Sequence, residues 1–233
     1  MRSAVVTGAT RGIGRAITEQ LVAGGAQVFM LARSASELDE ASQRLGALAV
    51  SITCDVGNAD AVAAAVARIS GLANGAPDIV VNNAGLFPLS PLHNMDVALF
   101  EQTLEVNVVA PFRFIRAFLS TMRERRSGHV ITIGSVADRQ IFSENGAYAA
   151  SKHAQRAMHE VLRQELQGSG VRASLVSPGP TDTSIWNDID PDNRDGFTRR
   201  ANMLRAELVA KSVMWVIDVP AELNVDELRI SRA

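Results

Sequence analysis

Tyr148 and Lys152 are the first residues whose types and spacing suggest chemistry, because they stand four positions apart in a segment with a helical pattern. Side chains four apart share a helix face, so the phenol and the ammonium are predicted to be neighbours. A phenol with a pKa near ~10 is a poor acid–base catalyst at neutral pH, but a nearby ammonium favours the phenolate. The pair predicts acid–base chemistry with a lowered pKa at Tyr148. The alternative is a surface pair on an amphipathic helix.

Three polar positions upstream are predicted to join this pair. Ser135 follows an apolar run at 131–133, and its hydroxyl could hold a substrate oxygen for Tyr148. An Asn-Asn-Ala-Gly stretch at 82–85 ends the preceding apolar run, and Asn107 lies in a long helical segment after it. Since ligands of open α/β sheets bind beyond the carboxyl ends of strands, these positions point to one site.

A glycine-rich turn follows the first apolar run, with Gly8, Gly12 and Gly14 in the spacing G-x3-G-x-G. Gly8 permits a tight turn, Gly12 lets the backbone approach a pyrophosphate, and Gly14 lets the next helix pack closely on the sheet. The helix N-terminus offers N–H groups and a positive dipole to phosphates. The turn therefore predicts dinucleotide binding. The spacing differs from the general G-x-G-x-x-G fingerprint, and an ordinary glycine-rich turn is the alternative.

The residues after the second apolar run bear on the type of dinucleotide. That run ends at Arg33, and the first acid after it is Glu37. A carboxylate would accept from a ribose 2′-hydroxyl, whereas an arginine offers a charge-assisted fork to a 2′-phosphate. Arg11 could reach the same group. We therefore predict NADP(H) in preference to NAD(H), with two solvated surface arginines as the alternative.

The elements that must position these residues alternate between short apolar runs and longer helical patterns. Continuous rather than alternating apolarity predicts strands buried on both faces, as in a parallel sheet. The prediction is one α/β domain over 1–233, a doubly wound parallel sheet in three layers, with an irregular segment at about 180–205 as a substrate lid. Strands are predicted at 4–7, 28–31, 48–54, 79–82, 129–133 and 172–176, and the longer helices at about 96–126, 148–168 and 206–217.

Composition narrows the partners. The net charge of −2 leaves no footprint for nucleic acid or anionic lipid, and no run approaches the ~18 apolar residues of a membrane span. The single cysteine, Cys54, cannot form an internal disulfide and is predicted to be a buried strand residue. The N-terminal residues of the chain do not resemble a signal peptide. We expect a soluble, cytoplasmic protein with no metal site, because no cluster of ligand residues has metal-binding spacing.

Over nearly its whole length the chain resembles the short-chain dehydrogenase/reductase family, and a carbonyl reductase-like member that prefers NADP(H). Each motif is modest alone, and their order and spacing together are specific. They are T-G-x3-G-I-G at 7–14, C-D-V at 54–56, N-N-A-G at 82–85, E-V-N at 105–107, Ser135, Y-A-A-S-K at 148–152 and P-G-P-T-D-T at 178–183.

The resemblance implies a role for each matching residue. Tyr148 would be the general acid in carbonyl reduction and the base in alcohol oxidation, Lys152 would lower its pKa and bind the nicotinamide ribose, and Ser135 would position the carbonyl. Asn107 would hold a water in a proton relay. Implied cofactor-binding residues are Gly8, Arg11, Gly12, Ile13, Gly14, Arg33, Asp55, Val56, Asn82, Ala84, Gly85, Tyr148, Lys152, Pro178, Gly179, Thr181 and Thr183.

The substrate and the assembly are less defined by the sequence. Phe87, Phe142 and Trp186 are predicted to form apolar walls for a small carbonyl or alcohol substrate, and Arg139 would meet a carboxylate if it turned inward. The resemblance implies a homodimer or homotetramer paired through the long helices at about 96–126 and 148–168.

Three other classes of protein fit the sequence less well. The sequence has no G-x-S-x-G turn, which a serine hydrolase would need, and no cluster of ligand residues, which a metal enzyme would need. A non-catalytic dinucleotide sensor would keep the glycine turn but would not need Asn107, Ser135, Tyr148 and Lys152.

Overall fold

Seven parallel strands form the central sheet in the computed structural model, which describes all residues 1–233. The strands are β1 (Ser3–Thr7), β2 (Gln27–Ala32), β3 (Ala49–Thr53), β4 (Ile79–Asn82), β5 (Gly128–Ile133), β6 (Val171–Pro178) and β9 (Glu227–Ile230), with a separate two-residue pair, β7 (Thr181–Asp182) and β8 (Leu204–Arg205). The strand order in the seven-stranded sheet is β3-β2-β1-β4-β5-β6-β9.

Seven α-helices cover both faces of this sheet. They are α1 (Gly12–Ala23), α2 (Ala35–Leu45), α3 (Ala59–Leu72), α4 (Val97–Leu104), α5 (Ala110–Glu124), α6 (Gly146–Glu165) and α7 (Ala206–Asp218). Successive strand side chains point to opposite faces, so Ala4 and Val6 pack in one apolar core with α1, α2 and α7. Val5 packs in the other core with α3, α5 and α6. The predicted doubly wound, three-layer fold is confirmed.

Two elements differ from the sequence-based prediction. The C-terminal strand β9 was not predicted, because its Glu-Leu-Arg-Ile sequence alternates apolar and charged residues at the sheet edge, where it pairs only with β6. The long helix expected over 96–126 is divided by a π-helical turn at Glu105–Val109, which contains Asn107. Single π turns within α-helices occur frequently at functional sites. None of the helices has the length and apolarity needed to cross a membrane.

The segment at 180–205 is short of regular structure but well bonded. It consists of 3₁₀ turns at Ser184–Trp186, Pro191–Asn193 and Arg200–Asn202 between β7 and β8. The Arg200 guanidinium donates to the carboxylate of Asp182 at 2.7 Å and to the side-chain oxygen of Asn187 at 2.8 Å. These bonds tie the end of the segment to its beginning.

The chain reverses its direction of travel across the sheet between β1 and β4, which are hydrogen-bonded neighbours. The loops that follow these strands diverge to opposite faces and leave a crevice beyond their carboxyl ends. This crevice is where most of the sequence-predicted site residues meet.

Candidate active site

A cleft of about 640 Å³ lies at this switch point. Its walls contain most of the residues predicted from the sequence: Gly8, Arg11, Gly12, Ile13, Arg33, Asp55, Val56, Ala84, Gly85, Phe87, Ser135, Phe142, Tyr148, Lys152, Pro178, Gly179, Thr181, Thr183 and Trp186. Four predicted site residues, Gly14, Asn82, Asn107 and Arg139, lie outside the cleft wall.

The glycine turn has the backbone that phosphate binding requires. Gly8 and Gly12 adopt φ values of +66° and +54°, which residues with a Cβ rarely adopt. A Cβ on Gly14 would overlap the carbonyl oxygen of Gly8, so Gly14 serves packing rather than ligand contact. Arg11 caps α1 without a side-chain hydrogen bond, and no acid stands in the first turn. The first N–H groups of α1 are therefore free for an anion.

Asn83 and Thr7 fix this turn against β4. The side-chain amide of Asn83 donates to the Thr7 carbonyl at 2.8 Å, and the Thr7 hydroxyl accepts from the backbone N–H groups of Asn83 and Ala84, both at 3.0 Å. Asn82, which the resemblance placed in the cofactor site, has a 2% exposed side chain with no hydrogen-bond partner. The Asn83 side chain lines the cleft instead. The adjacent asparagine was the signal that sequence reasoning passed over.

The end of the cleft beside β2 and β3 carries charge of both signs. Arg11 and Arg33 line it, and neither forms an ion pair with another side chain. Glu37 also lines it, but its carboxylate accepts a 2.8 Å hydrogen bond from the Thr10 hydroxyl. Two unpaired guanidinium groups suit a 2′-phosphate, and the glycine turn suits a pyrophosphate. The residues present therefore fit a phosphorylated dinucleotide.

Tyr148 and Lys152 lie together on α6, as their spacing predicted. The Lys152 ammonium is 5.5 Å from the centre of the Tyr148 ring, and it donates to the Ile133 carbonyl at 2.9 Å and to Gln155 at 2.8 Å. Burial lowers the pKa of Lys152 to about 8, an effect that the charge of Asp138 opposes. The group is therefore still an ammonium at neutral pH and loses its proton near pH 8.

The predicted lowering of the Tyr148 pKa is not found in the chain by itself. Burial raises this pKa to about 12, the Ser135 hydroxyl opposes part of the rise, and the charge of Asp138 adds to it. Desolvation of the phenolate outweighs the hydrogen bond from Ser135 that favours it. At neutral pH the phenol is protonated, which is the form that donates a proton to a carbonyl oxygen.

Ser135 stands at the carboxyl end of β5 and begins the 3₁₀ turn Val136–Asp138, where its hydroxyl accepts from the Ala137 N–H at 3.1 Å. This turn packs on α6, so the hydroxyl faces the cleft near Tyr148. Asp138 at the end of the turn is fully buried, and one carboxylate oxygen accepts from the Ser177 hydroxyl at 3.0 Å. Sequence reasoning missed Asp138, because no local pattern marks a buried carboxylate.

The amide of Asn107 connects two walls of the site. It accepts from the Leu86 N–H at 2.8 Å, and it donates to the Leu86 carbonyl and the Ser151 hydroxyl, both at 2.9 Å. Ser151 in turn donates to the Tyr148 carbonyl at 2.7 Å. Asn107 thus holds the loop after β4 against the first turns of α6. Its role with a relay water stays a prediction.

Aromatic side chains surround the substrate end of the cleft. The Phe87 ring lies 4.5 Å from that of Tyr148 and 5.1 Å from that of Trp186, in edge-to-face geometry. Phe142 lies 6.5 Å from Phe87. Phe197, which was not predicted, packs behind them at 6.0 Å from Phe142 and 6.2 Å from Trp186. The predicted apolar walls are thus present in this structure.

Arg139 does not turn inward. Its guanidinium pairs with the carboxylate of Glu227 on β9, a fork that also contributes to holding the edge strand. The prediction that Arg139 could meet a substrate carboxylate is therefore wrong for this structure. The physical reason is a partner 88 residues away in sequence, which only the folded chain brings near.

Comparisons with known proteins agree with this geometry. The family profile "short chain dehydrogenase" matches residues 2–194. An uncharacterized oxidoreductase of Staphylococcus saprophyticus is 33% identical over 231 residues, covering 97% of this chain and 94% of that protein.

Two solved structures share the fold over almost the full length of both chains. One is a serine dehydrogenase in its closed form complexed with NADP⁺, with a TM-score of 0.89, 30% identity and coverage of 98% and 94%. The other is an alcohol dehydrogenase from the archaeon Thermococcus sibiricus complexed with 5-hydroxy-NADP, with a TM-score of 0.88, 27% identity and coverage of 100% and 97%. Given its glycine turn, its Tyr148–Lys152 pair and these matches, the chain belongs to the short-chain dehydrogenase/reductase family and is an NAD(P)-dependent oxidoreductase acting on alcohol or carbonyl groups.

Proposed function

We propose that the protein reduces a carbonyl compound to a secondary alcohol, with Tyr148 as the general acid. The observation that carries this proposal is the place of the Tyr148 phenol on the cleft wall, against the Phe87 ring and beside Ser135 and the buried Lys152 ammonium. A bound nicotinamide cofactor would supply the hydride. Ser135 would hold the carbonyl oxygen, Tyr148 would donate its proton to that oxygen, and Lys152 would stabilise the resulting phenolate.

We further propose that the cofactor is NADP(H) rather than NAD(H). The unpaired Arg11 and Arg33 support this preference, since each could donate to a 2′-phosphate. The bound NADP of the serine dehydrogenase structure is in keeping with it. In a fluorescence titration, NADPH should bind more tightly than NADH, and Arg33→Ala should reduce the difference between the two affinities. Equal affinities in the native protein would refute the preference.

A homodimer or homotetramer is the assembly we propose. Its support is the exposure of large apolar side chains on two long helices, with Phe112 on α5 at 49% and Val161 on α6 at 56%. Light scattering after size-exclusion chromatography would give the mass, and a monomer would exclude this assembly.

The reaction itself is tested by following NADPH oxidation against a panel of aldehydes, diketones, keto acids and cyclic ketones. Native protein is compared with Tyr148→Phe, which removes only the phenolic hydroxyl. Loss of a general acid costs about 10²–10⁴-fold in rate. Turnover that vanishes in the variant supports the proposal, and turnover that persists refutes the role of Tyr148. NADPH binding without turnover of any carbonyl would favour the non-catalytic sensor.

A further inference from the structure

The substrate end of the cleft has aromatic side chains on its wall and no unpaired charged side chain among them. Phe87, Phe142 and Trp186 line it beside Leu86 and Ile185. The rings meet edge to face, with angles of 75° for Phe87 and Phe142 and 76° for Phe87 and Trp186. Aromatic pairs prefer this geometry, and the contacting rings form one wall of the substrate end of the cleft, the slot.

Three charged residues around this slot, Arg194, Arg139 and Glu105, already have partners. The guanidinium of Arg194 pairs with Glu144 and lies 4.9 Å from the centre of the Phe197 ring. Arg139 pairs with Glu227, and Glu105 at the cleft wall pairs with Arg113.

The remaining charges of the cleft are also committed. Lys152 donates to Ile133 and Gln155 and stands behind Tyr148, in the place assigned to catalysis. Arg11, Arg33, Glu37 and Asp55 belong to the end of the cleft beside β2 and β3. A substrate carboxylate in the slot would therefore lose water without gaining a cation, which is strongly unfavourable.

The Arg194–Glu144 pair also lies outside the wall of the cleft. It joins the 180–205 segment to the loop before α6, and Phe197 lies three residues beyond Arg194 with its ring against Phe142 and Trp186. The other end of the segment is held by the Trp186 indole, which donates to the Thr181 carbonyl at 3.0 Å. Arg194 thus links two loops, and its guanidinium is paired with a carboxylate outside the slot.

From this arrangement we infer that the substrate is an uncharged carbonyl compound with a flat aryl or cyclic group, held against the wall of Phe87, Phe142 and Trp186, and that carboxylate-bearing carbonyls are rejected. The inference rests on the proposed carbonyl reduction and adds the substrate class. Its flat group would stack against the ring walls while its carbonyl oxygen reaches Tyr148 and Ser135.

The experiment uses two substrates that share a phenyl ketone and differ in bearing a neutral ester or a carboxylate, methyl benzoylformate and benzoylformate, with NADPH and the full-length protein. The ester should have a kcat/KM at least about tenfold above that of the acid, because an unpaired buried charge is costly. A ratio near one, or a preference for the acid, would overturn the inference.

Two pairs of variants assign the effect to residues. Phe142→Ala should lower kcat/KM for methyl benzoylformate by about tenfold but for ethyl pyruvate by less than about twofold, because only the aryl group needs the wall. Ile141→Ala, next in sequence but 77% exposed and outside the cleft, is the control. Arg194→Gln should leave the ester-to-acid ratio unchanged, as should Arg199→Gln, which removes a charge that forms no ion pair. If Arg194→Gln selectively abolishes reduction of the acid, Arg194 is a carboxylate receptor and the inference is wrong.

A binding measurement separates this inference from the proposed reaction. Quenching of tryptophan fluorescence in the protein with NADP⁺ present compares methyl mandelate with mandelate, and Trp186→Phe identifies the reporter. Tighter binding of the ester without turnover would refute the reduction and support the pocket chemistry. Turnover combined with tighter binding of mandelate would support the reduction but overturn the inferred preference for uncharged substrates. If neither compound binds, the inferred substrate class is also overturned.

Discussion

The buried ammonium of Lys152 predicts a pH limit on carbonyl reduction. Its pKa is lowered from an ordinary value of 10.5 to about 8, mainly by burial. The protein therefore favours the neutral amine over the ammonium by about 3 kcal/mol more than water does. Reduction needs the ammonium, which stabilises the phenolate left when Tyr148 gives up its proton, while the phenol with a pKa of about 12 stays protonated throughout. The rate should therefore be constant below about pH 7, halve near pH 8 and fall about tenfold by pH 9.

Asp138→Asn provides the matched perturbation. The charge of Asp138 raises the pKa of Lys152, so its removal should move the break in the profile below pH 8. The amide keeps the shape of the side chain and can still bond the Ser177 hydroxyl, which limits structural damage. The assay is kcat/KM for the best carbonyl at saturating NADPH between pH 6 and 10, with circular dichroism at each pH to exclude unfolding. A profile that stays flat to pH 10 would refute the role given to burial. An unchanged break in Asp138→Asn would refute the role given to that carboxylate.

Two further substitutions test how the phosphate turn and the sheet edge are built. Gly14→Ala would force a Cβ onto the Gly8 carbonyl, so it should cost about 1–3 kcal/mol of stability and weaken NADPH binding. As a control, Gly71→Ala on the open face of α3 should stabilise the protein by about 0.5–1 kcal/mol, because a Cβ there meets no other atom. Thermal denaturation and NADPH titration measure both, and an undisturbed Gly14→Ala would contradict the packing argument. Arg139→Ala breaks the partly exposed pair with Glu227, and should cost less than about 1 kcal/mol while leaving KM for keto acids unchanged. A KM that rises only for keto acids would restore Arg139 to the substrate site.

Local spacing was sufficient for the parts of the site that depend on one element. Tyr148 and Lys152 share a helix face because they stand four apart on α6, whatever the rest of the chain does. The turn from Gly8 to Gly12 needs positive φ at fixed positions, and glycine tolerates this at low cost. Continuous apolar runs at six strands likewise predicted a parallel sheet, since only a strand covered on both faces can bury every side chain.

Contacts between distant segments could not be predicted in the same way. The aromatic slot takes Phe87 from the loop after β4, Phe142 from the loop before α6, and Trp186 and Phe197 from the 180–205 segment. Their separations in sequence carry no periodicity that would reveal their meeting. The edge strand β9 was missed for a related reason, because its pairing depends on β6 and on Arg139 rather than on its own residues.

The sequence by itself determined which groups are available for chemistry and which element carries each of them. Tertiary structure decided their state. Whether Asn82 or Asn83 faces the cleft, whether Arg139 is free or paired, and whether Tyr148 holds its proton depend on what packs around each side chain. The physical reason is that hydrophobic periodicity and turn preference are properties of neighbouring residues, whereas desolvation and charge pairing depend on groups that only the folded chain brings together.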